Sequence, residues 1–298
     1  MVFAVGFGIL VRQELVGNTK FGWVSKTALT LSEIPVILKE IRLGITRDMR
    51  AEDRFPTLDG FAGNPNSEAS YLLLSTYNGD FVQGIVELVD LTNFKTLHTW
   101  KPNIDAMNDL VELKDDFIYM KRDRGGKRFL LNHPKLTKDG GLLFTHTSPL
   151  RKIDACSKLI FQNTHDQFHH SIEIDVDGNI WVPSHLYPQT LAIKKVGRTI
   201  HEDGGYKDDA LVKLSPDGKI LFEKSMSQIF IDNGLEYLLF TIGDRNKFTT
   251  DPIHLNDIQP VNFDGEFWKK GDVFLSLRHQ SMVFLYRPST NKIIWKGT

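Results

Sequence analysis

From about residue 70 onward, apolar positions come in short runs separated by turn dipeptides. These are Asn78-Gly79, Asp139-Gly140, Asp177-Gly178, Asp203-Gly204, Asp217-Gly218, Asn233-Gly234 and Asp264-Gly265. Such pairs suit type I′ hairpin turns, whose two central residues take positive φ. Between them, Ile172-Glu173-Ile174-Asp175-Val176 alternates with period two, the pattern of a half-buried strand. Leu142-Leu143-Phe144, Ile180-Trp181-Val182 and Val273-Phe274-Leu275 read as short buried strands. Helical periodicity is scarce in this stretch. Ser225 to Asn233 is the main exception, with Gly234 as its C-cap. The pattern predicts an all-β fold built from antiparallel hairpins.

One strand-turn-strand pattern recurs four times. Ile85–Asp90 leads to Leu97–Trp100, Leu150–Asp154 to Lys158–Phe161, Ala210–Leu214 to Lys219–Phe222, and Val283–Tyr286 to Lys292–Trp295. The closing aromatics Trp100, Phe161, Phe222 and Trp295 lie 61, 61 and 73 residues apart. Two copies follow a matching pair: His169-His170 with Gly178-Asn179-Ile180-Trp181, and His254 with Gly271-Asp272-Val273-Phe274. A four-stranded unit repeated at such a period reads as a β-propeller blade, with about four blades in this chain. A large sandwich with chance similarity is the alternative. The long period implies insertions, at Tyr187–Asp208 and Phe248–Leu255, and insertions of this kind carry sites.

Upstream, Met1 to Val11 is eleven apolar or glycine residues, well short of the ~20 that span a bilayer. It admits three readings: a buried first helix or strand, a signal-type segment, or the end of a membrane anchor. Ser32 is placed to cap a helix running to Ile41. The division is therefore a partly helical N-terminal segment, residues 1–50, followed by propeller blades over 51–298. The 298 residues are ample for a hydrophobic core. A single cysteine, Cys156, excludes a disulfide framework and multi-cysteine zinc sites. A net charge of −1 removes the electrostatic footprint of a nucleic-acid binder.

Chemistry concentrates in three segments. Thr164-His165-Asp166-Gln167-Phe168-His169-His170-Ser171 places three histidines in six residues just before a strand, and His185 follows the next strand. Structural histidines, an anion-binding or nucleophilic cluster, and a metal site are all open here, although the spacing is not the converging His-x3-His of a helix. Asp251-Pro252-Ile253-His254-Leu255-Asn256 puts His254 at the place equivalent to His169-His170, so the two would face each other across one channel. Ser276-Leu277-Arg278-His279-Gln280-Ser281 ends a strand with polar groups that are costly to bury unpartnered. Arg278 either pairs with an acidic residue or offers its planar fork to a tetrahedral oxyanion. No phosphate loop, nucleophile elbow or dinucleotide fingerprint is present, and Lys121–Arg128 reads as a solvated basic loop.

At these residues the chain resembles the arylsulfotransferase family. The carrying segments are Phe168–Ile174 with Gly178-Asn179, Asp251–Asn256, and Leu275–Gln280 with Lys292–Gly297. The resemblance covers roughly residues 70–298. It implies a six-bladed propeller that moves a sulfuryl group from a phenolic sulfate ester to a phenol, without the nucleotide donor PAPS and with no cofactor. A channel histidine becomes sulfated. By motif, His170 (or His169), His254 and Arg278 match the positions that hold the sulfuryl oxygens, and His169, Asn256 and His279 are the accompanying substrate-binding residues. No metal ligand is assigned. The partners implied are a small-molecule aryl sulfate and a phenolic acceptor, with N-terminal membrane association and a periplasmic or extracytoplasmic location. The family's nucleophilic histidine lies in a later blade, beyond the motif at Trp295-Lys296-Gly297, so the expectation is an incomplete chain. Two other functions fit the same residues: a non-catalytic propeller that binds a ligand or partner, and a metal-dependent propeller hydrolase.

Overall fold

The computed structural model describes residues 2–15, 21–46, 60–112, 125–127, 129–191, 206–240 and 251–297. The chain divides into two units, residues 1–59 with 199–205, and residues 60–198 with 206–298. The Asp203-Gly204 turn, most of the Lys121–Arg128 run, the middle of the Tyr187–Asp208 insertion and the start of the Phe248–Leu255 insertion lie outside the described residues.

The first unit contains two helices, α1 (Val2–Leu15) and α2 (Gly22–Thr46). They are tied together where Ser25 Oγ donates to Glu14 Oε2 at 2.7 Å. The opening apolar run is helical, yet Val2 and Phe3 are exposed, as are Trp23, Leu31 and Leu38 on α2. Ser32 is not an N-cap. The helix begins ten residues earlier, and Ser32 Oγ turns back to Leu29 O at 2.7 Å inside it. That local bond satisfies the hydroxyl without ending the helix. No described helix is long and apolar enough to cross a membrane.

The second unit is built of antiparallel strands. In order they are β1 (Tyr71–Asn78), β2 (Gln83–Asp90), β3 (Lys95–Trp100), β4 (Asn132–Leu136), β5 (Leu142–Thr145), β6 (Ser148–Ile153), β7 (Leu159–Phe168) and β8 (Glu173–Ile174). They continue as β9 (Ile180–Leu186), β10 (Asp208–Leu214), β11 (Ile220–Ser225), β12 (Leu255–Pro260), β13 (Val273–Leu277), β14 (Met282–Arg287) and β15 (Lys292–Gly297). Strands β1–β3 form one meander and β12–β15 another. Between them β4–β7 and β8–β11 are two four-stranded meanders, merged into one sheet where β7 meets β9. Each sequence repeat falls on one antiparallel pair: β2–β3, β6–β7, β10–β11 and β14–β15. The all-β class stands. No described sheet closes on itself, so a six-bladed ring does not follow from these strands.

Two local expectations change. The turns at Asp139-Gly140, Asp177-Gly178 and Asp217-Gly218 are not type I′, because only the glycines take positive φ, at 80°, 84° and 83°. In each, the glycine N–H closes a four-residue turn onto Thr137, Asp175 or Ser215, at 3.0, 2.9 and 2.9 Å. This is a type I turn followed by a left-handed glycine, the other common hairpin solution. The strand expected over residues 172–176 shortens to β8, because Asp175 leaves the ladder. Its carboxylate accepts from Asn179 N at 2.8 Å and Trp181 Nε1 at 3.1 Å.

Among the described residues, two short α-helices interrupt the strands. Helix α4 (Met226–Asp232) starts where Ser225 Oγ accepts from Gln228 N, and ends with Gly234 at φ 69° and Leu235 N–H reaching back to Phe230 O. Helix α3 (Ile104–Asp109), capped by Asn103, is too short to leave a periodic signal. It buries Ile104 and Met107 against Trp100, Phe129 and Phe144. Phe144 is fully buried, with its ring edge-to-face on Phe129 at 6.2 Å. Phe144→Ala is expected to lower unfolding free energy by about 3–5 kcal/mol, seen as a lower denaturant midpoint at unchanged slope. A shift under about 1 kcal/mol would show that this cluster does not bear on global stability.

Candidate functional site

The first strands of three meanders are each entered through a histidine in the left-handed region: His133 (φ 47°), His170 (φ 57°) and His254 (φ 57°). Left-handed backbone is costly for a side-chain-bearing residue, and it turns the side chain away from the ladder direction. The rings then form one contact chain. His133 and His170 lie 6.1 Å apart by centroid, His170 and His254 5.0 Å, and His254 and His279 4.7 Å. His169 joins from behind, 4.9 Å from His170, and stacks on His185 at 4.0 Å. Six of the ten histidines in the sequence therefore meet in one place.

At the centre, His170 Nε2 and His254 Nε2 are 3.2 Å apart. One of these nitrogens must carry the proton and the other a lone pair. The other side of His254 decides which. Its Nδ1 is 2.7 Å from Asp251 Oδ2, and an ionised carboxylate only accepts. A neutral His254 therefore donates from Nδ1 and presents its Nε2 lone pair to His170, which donates. Arg278 faces the same nitrogen, with a guanidinium nitrogen 3.5 Å away.

The segment carrying His254 is held by backbone as much as by side chains. Its own N–H donates to Asp209 Oδ2 at 2.9 Å. Arg278 N and His279 N donate to His254 O and Ile253 O, and Gln280 Nε2 donates to Pro252 O at 2.7 Å. The polar strand end Arg278–Gln280 thus satisfies the 251–254 turn. His279 is part of that clamp, since its Nδ1 donates to Asp251 O at 2.6 Å. Asn256 is the bulged residue of β12, skipped in the register with β13. Its carbonyl accepts from Ser171 N at 3.4 Å, and Ser171 Oγ accepts from Ile258 N at 3.2 Å, so it joins the His170 and His254 segments through backbone. His169 is buried against Asp209 and donates its backbone N–H to Pro183 O.

Electrostatics follow from this crowding. Burial first, and then the neighbouring His169, His254 and His133, push the pKa of His170 down to about 3, while Asp209 opposes. Burial and His185 push His169 down to about 4. Burial pulls the Asp251 carboxyl up, but the His254 hydrogen bond and Lys207, 3.3 Å from Oδ2, outweigh it and hold it at about 2. Asp209, fully buried, is likewise opposed by burial yet held below the ordinary carboxylate range by His169 and His185. The result is an imidazole pair, its His170 member stripped of affinity for protons, beside one guanidinium and two buried carboxylates.

The structure thus brings together His170, His254 and Arg278, with His169 and His279 packed directly behind and Asn256 in the adjoining bulge. Sequence reasoning missed His133, Asp209 and the bracing role of Asp251. His133 had a signal, since it precedes Thr137-Lys138-Asp139-Gly140 as His170 precedes Asp175-Val176-Asp177-Gly178. Asp208-Asp209 had one too, a carboxylate pair opening an otherwise apolar strand. A cavity of about 310 Å³ lined by Asp175, Trp181, Lys213 and Phe222 opens elsewhere and includes none of these rings.

A pH dependence follows. An unfolded histidine titrates near 6.5, whereas folded His170 does so near 3. Over that interval the unfolded chain binds protons that the folded chain does not, so stability present above pH 6.5 is lost as pH falls. Asp251, held at about 2, adds a loss of the same sign below its ordinary 3.8. The melting temperature is expected to fall steadily from about pH 6.5 to about pH 4, and less steeply in His170→Asn, which tolerates the left-handed backbone. Parallel wild-type and variant profiles would contradict this assignment.

Comparison with known proteins places these residues in a family. No curated protein matches the chain. Among solved structures, a protein of unknown function from Bacteroides caccae aligns at 10% identity and a TM-score of 0.34, over 72% of this chain and 69% of that one. The family model for arylsulfotransferase (ASST) matches residues 133–298, more than half of the chain, running from the first left-handed histidine through β15. On that match, the chain belongs to the arylsulfotransferase (ASST) family.

Proposed function

We propose that this chain acts in PAPS-independent transfer of a sulfuryl group from a phenolic sulfate ester to a phenolic acceptor, through a sulfo-histidine intermediate. The observation that carries the reading is the convergence of His170 Nε2 and the Arg278 guanidinium on His254 Nε2, at 3.2 and 3.5 Å. A transferring sulfuryl group carries charge on its equatorial oxygens, and fixed donors aimed at them stabilise the transition state. In this reading His170 and Arg278 donate to those oxygens, His254 joins them when its Nε2 takes up a proton, Asp251 keeps His254 oriented, and His169, His279 and Asn256 fix the segments that carry them.

The two steps balance simply. A neutral imidazole nitrogen attacks sulfur, the N–S bond forms, and the S–O bond to the aryl group breaks with its electron pair leaving on phenolate. The acceptor oxygen then attacks sulfur, the N–S bond breaks, and the acceptor's proton is passed on to the released phenolate. Burial that keeps imidazoles neutral favours the attack, and neither step needs a nucleotide or a phosphate loop. An extracytoplasmic setting, with the exposed apolar side chains of α1 and α2 against a membrane surface, belongs to the same proposal.

The test is acceptor-dependent release of nitrophenol from p-nitrophenyl sulfate in the presence of phenol. Arg278→Ala and His254→Ala are expected to lower kcat/KM by roughly 10²–10³-fold. Sulfate-induced protection against melting with no turnover would replace this reading with that of a non-catalytic ligand-binding protein.

A further inference from the structure

Among the described residues, three groups of histidine and carboxylate side chains bring ligand atoms within 4.8 Å of one another. Of these, one has its ring nitrogens engaged within the group and one is open to solvent. In the Asp251–His254–His279 group, both Nδ1 atoms are committed to Asp251, at its Oδ2 and its backbone O. In the His165–Asp166–Glu223 group, Asp166 Oδ2 accepts from Ser184 Oγ, and the His165 side chain is 57% exposed. The third group differs. His169 Nε2 lies 3.3 Å and His185 Nε2 3.4 Å from the same oxygen, Asp209 Oδ1. Among the described residues no hydrogen bond of good geometry reaches Asp209 Oδ1 or either ring nitrogen of His169, although all are buried.

We propose that His169, His185 and Asp209 form a binding site for a divalent transition metal of the zinc type, with a structural role beside the imidazole pair. The two separations are long for N–H···O bonds, which cluster at ~2.9–3.0 Å. They equal the distance of about 3.3–3.4 Å between two ligand atoms on one tetrahedral zinc with bonds of ~2.0–2.1 Å. The two rings stack, 4.0 Å between centroids and 29° between planes, and both Nε2 atoms come within 3.4 Å of one carboxylate oxygen. Two imidazoles and a carboxylate are a donor set for zinc and its neighbours rather than for magnesium or calcium. His185, its side chain 13% exposed against 5% for His169 and 0% for Asp209, gives the route in.

The placement gives the ion something to do. Asp209 would use Oδ1 for the metal while Oδ2 keeps the His254 N–H at 2.9 Å. His169 is the residue before His170. One ion would then fix both members of the central pair through their backbones, without touching a substrate.

The experiment uses the full chain, saturated with zinc, dialysed and assayed for metal by mass spectrometry. Expected are roughly one equivalent of zinc, a fall of several degrees in Tm on chelation, and recovery on adding zinc back. His185→Gln and Asp209→Asn should lose the metal, and His279→Gln should keep it. Cobalt in place of zinc should give the visible bands of a tetrahedral site in the wild type, a readout that stands even if a variant fails to fold. Substoichiometric metal with a Tm indifferent to chelator, or zinc retained by His185→Gln, would overturn the proposal. Because these readouts are metal content, melting and spectrum, failure here leaves the sulfuryl-transfer reading untouched, and failure of that reading leaves this one.

Discussion

A single buried negative charge organises the centre of this protein. Asp209 has no exposed surface, so its carboxylate must be compensated by what the chain places around it. Every compensating group comes from a different segment. His169 arrives from the turn after β7, His185 from β9, and the His254 N–H from the turn before β12. Gathering groups around one charge therefore assembles three segments spread over 85 residues. Asp209 sits opposite His185 in the β9–β10 ladder, so ordinary strand register delivers it to that point.

The backbone contributes a second constraint. Three left-handed histidines open three first strands, and strain of this kind persists only where surroundings over-determine it. Here those surroundings are visible. His254 is clamped by the backbone N–H groups of Arg278 and His279 and by Gln280, and His170 is followed by Ser171, which bonds both sides of the β12 bulge. Rings held this way cannot relax towards solvent. They crowd one another, His170 loses affinity for protons, and Arg278 and the two braced carboxylates are left to set the local potential.

Much of this was legible in the sequence because repeats betray themselves. The aromatic-terminated strand pairs predicted four hairpins, and each is an antiparallel pair in the structure. The same repeat logic paired His170 with His254 across 84 residues. It stopped at what has no period. Asp209 looks like one more carboxylate until the fold buries it, and α3 is a single turn and a half. Type I′ turns were expected from Asp-Gly pairs alone, whereas the residues two before each Asp decided the turn by closing it onto their own carbonyls. Ser32 looked like a helix start because capping residues and residues that bond back within a helix share the same side chain. Ring closure is a property of how many meanders surround an axis, and local alternation of polar and apolar residues carries no count of that kind.

The seam between the middle meanders has a mechanical meaning. Strands β9 and β10 are stitched along seven residue pairs, but β7 and β9 share only Gln167 with His185 and Phe168 with Ser184. His170 lies two residues beyond that short seam, and His254 precedes the first strand of a different sheet altogether. The gap between their nitrogens is thus spanned by no ladder. It is gauged by three bonds, from His254 N to Asp209, Ser171 N to Asn256 and Ile258 N to Ser171. The stiff parts of the molecule carry the walls of the site, and its aperture hangs on its most compliant joint.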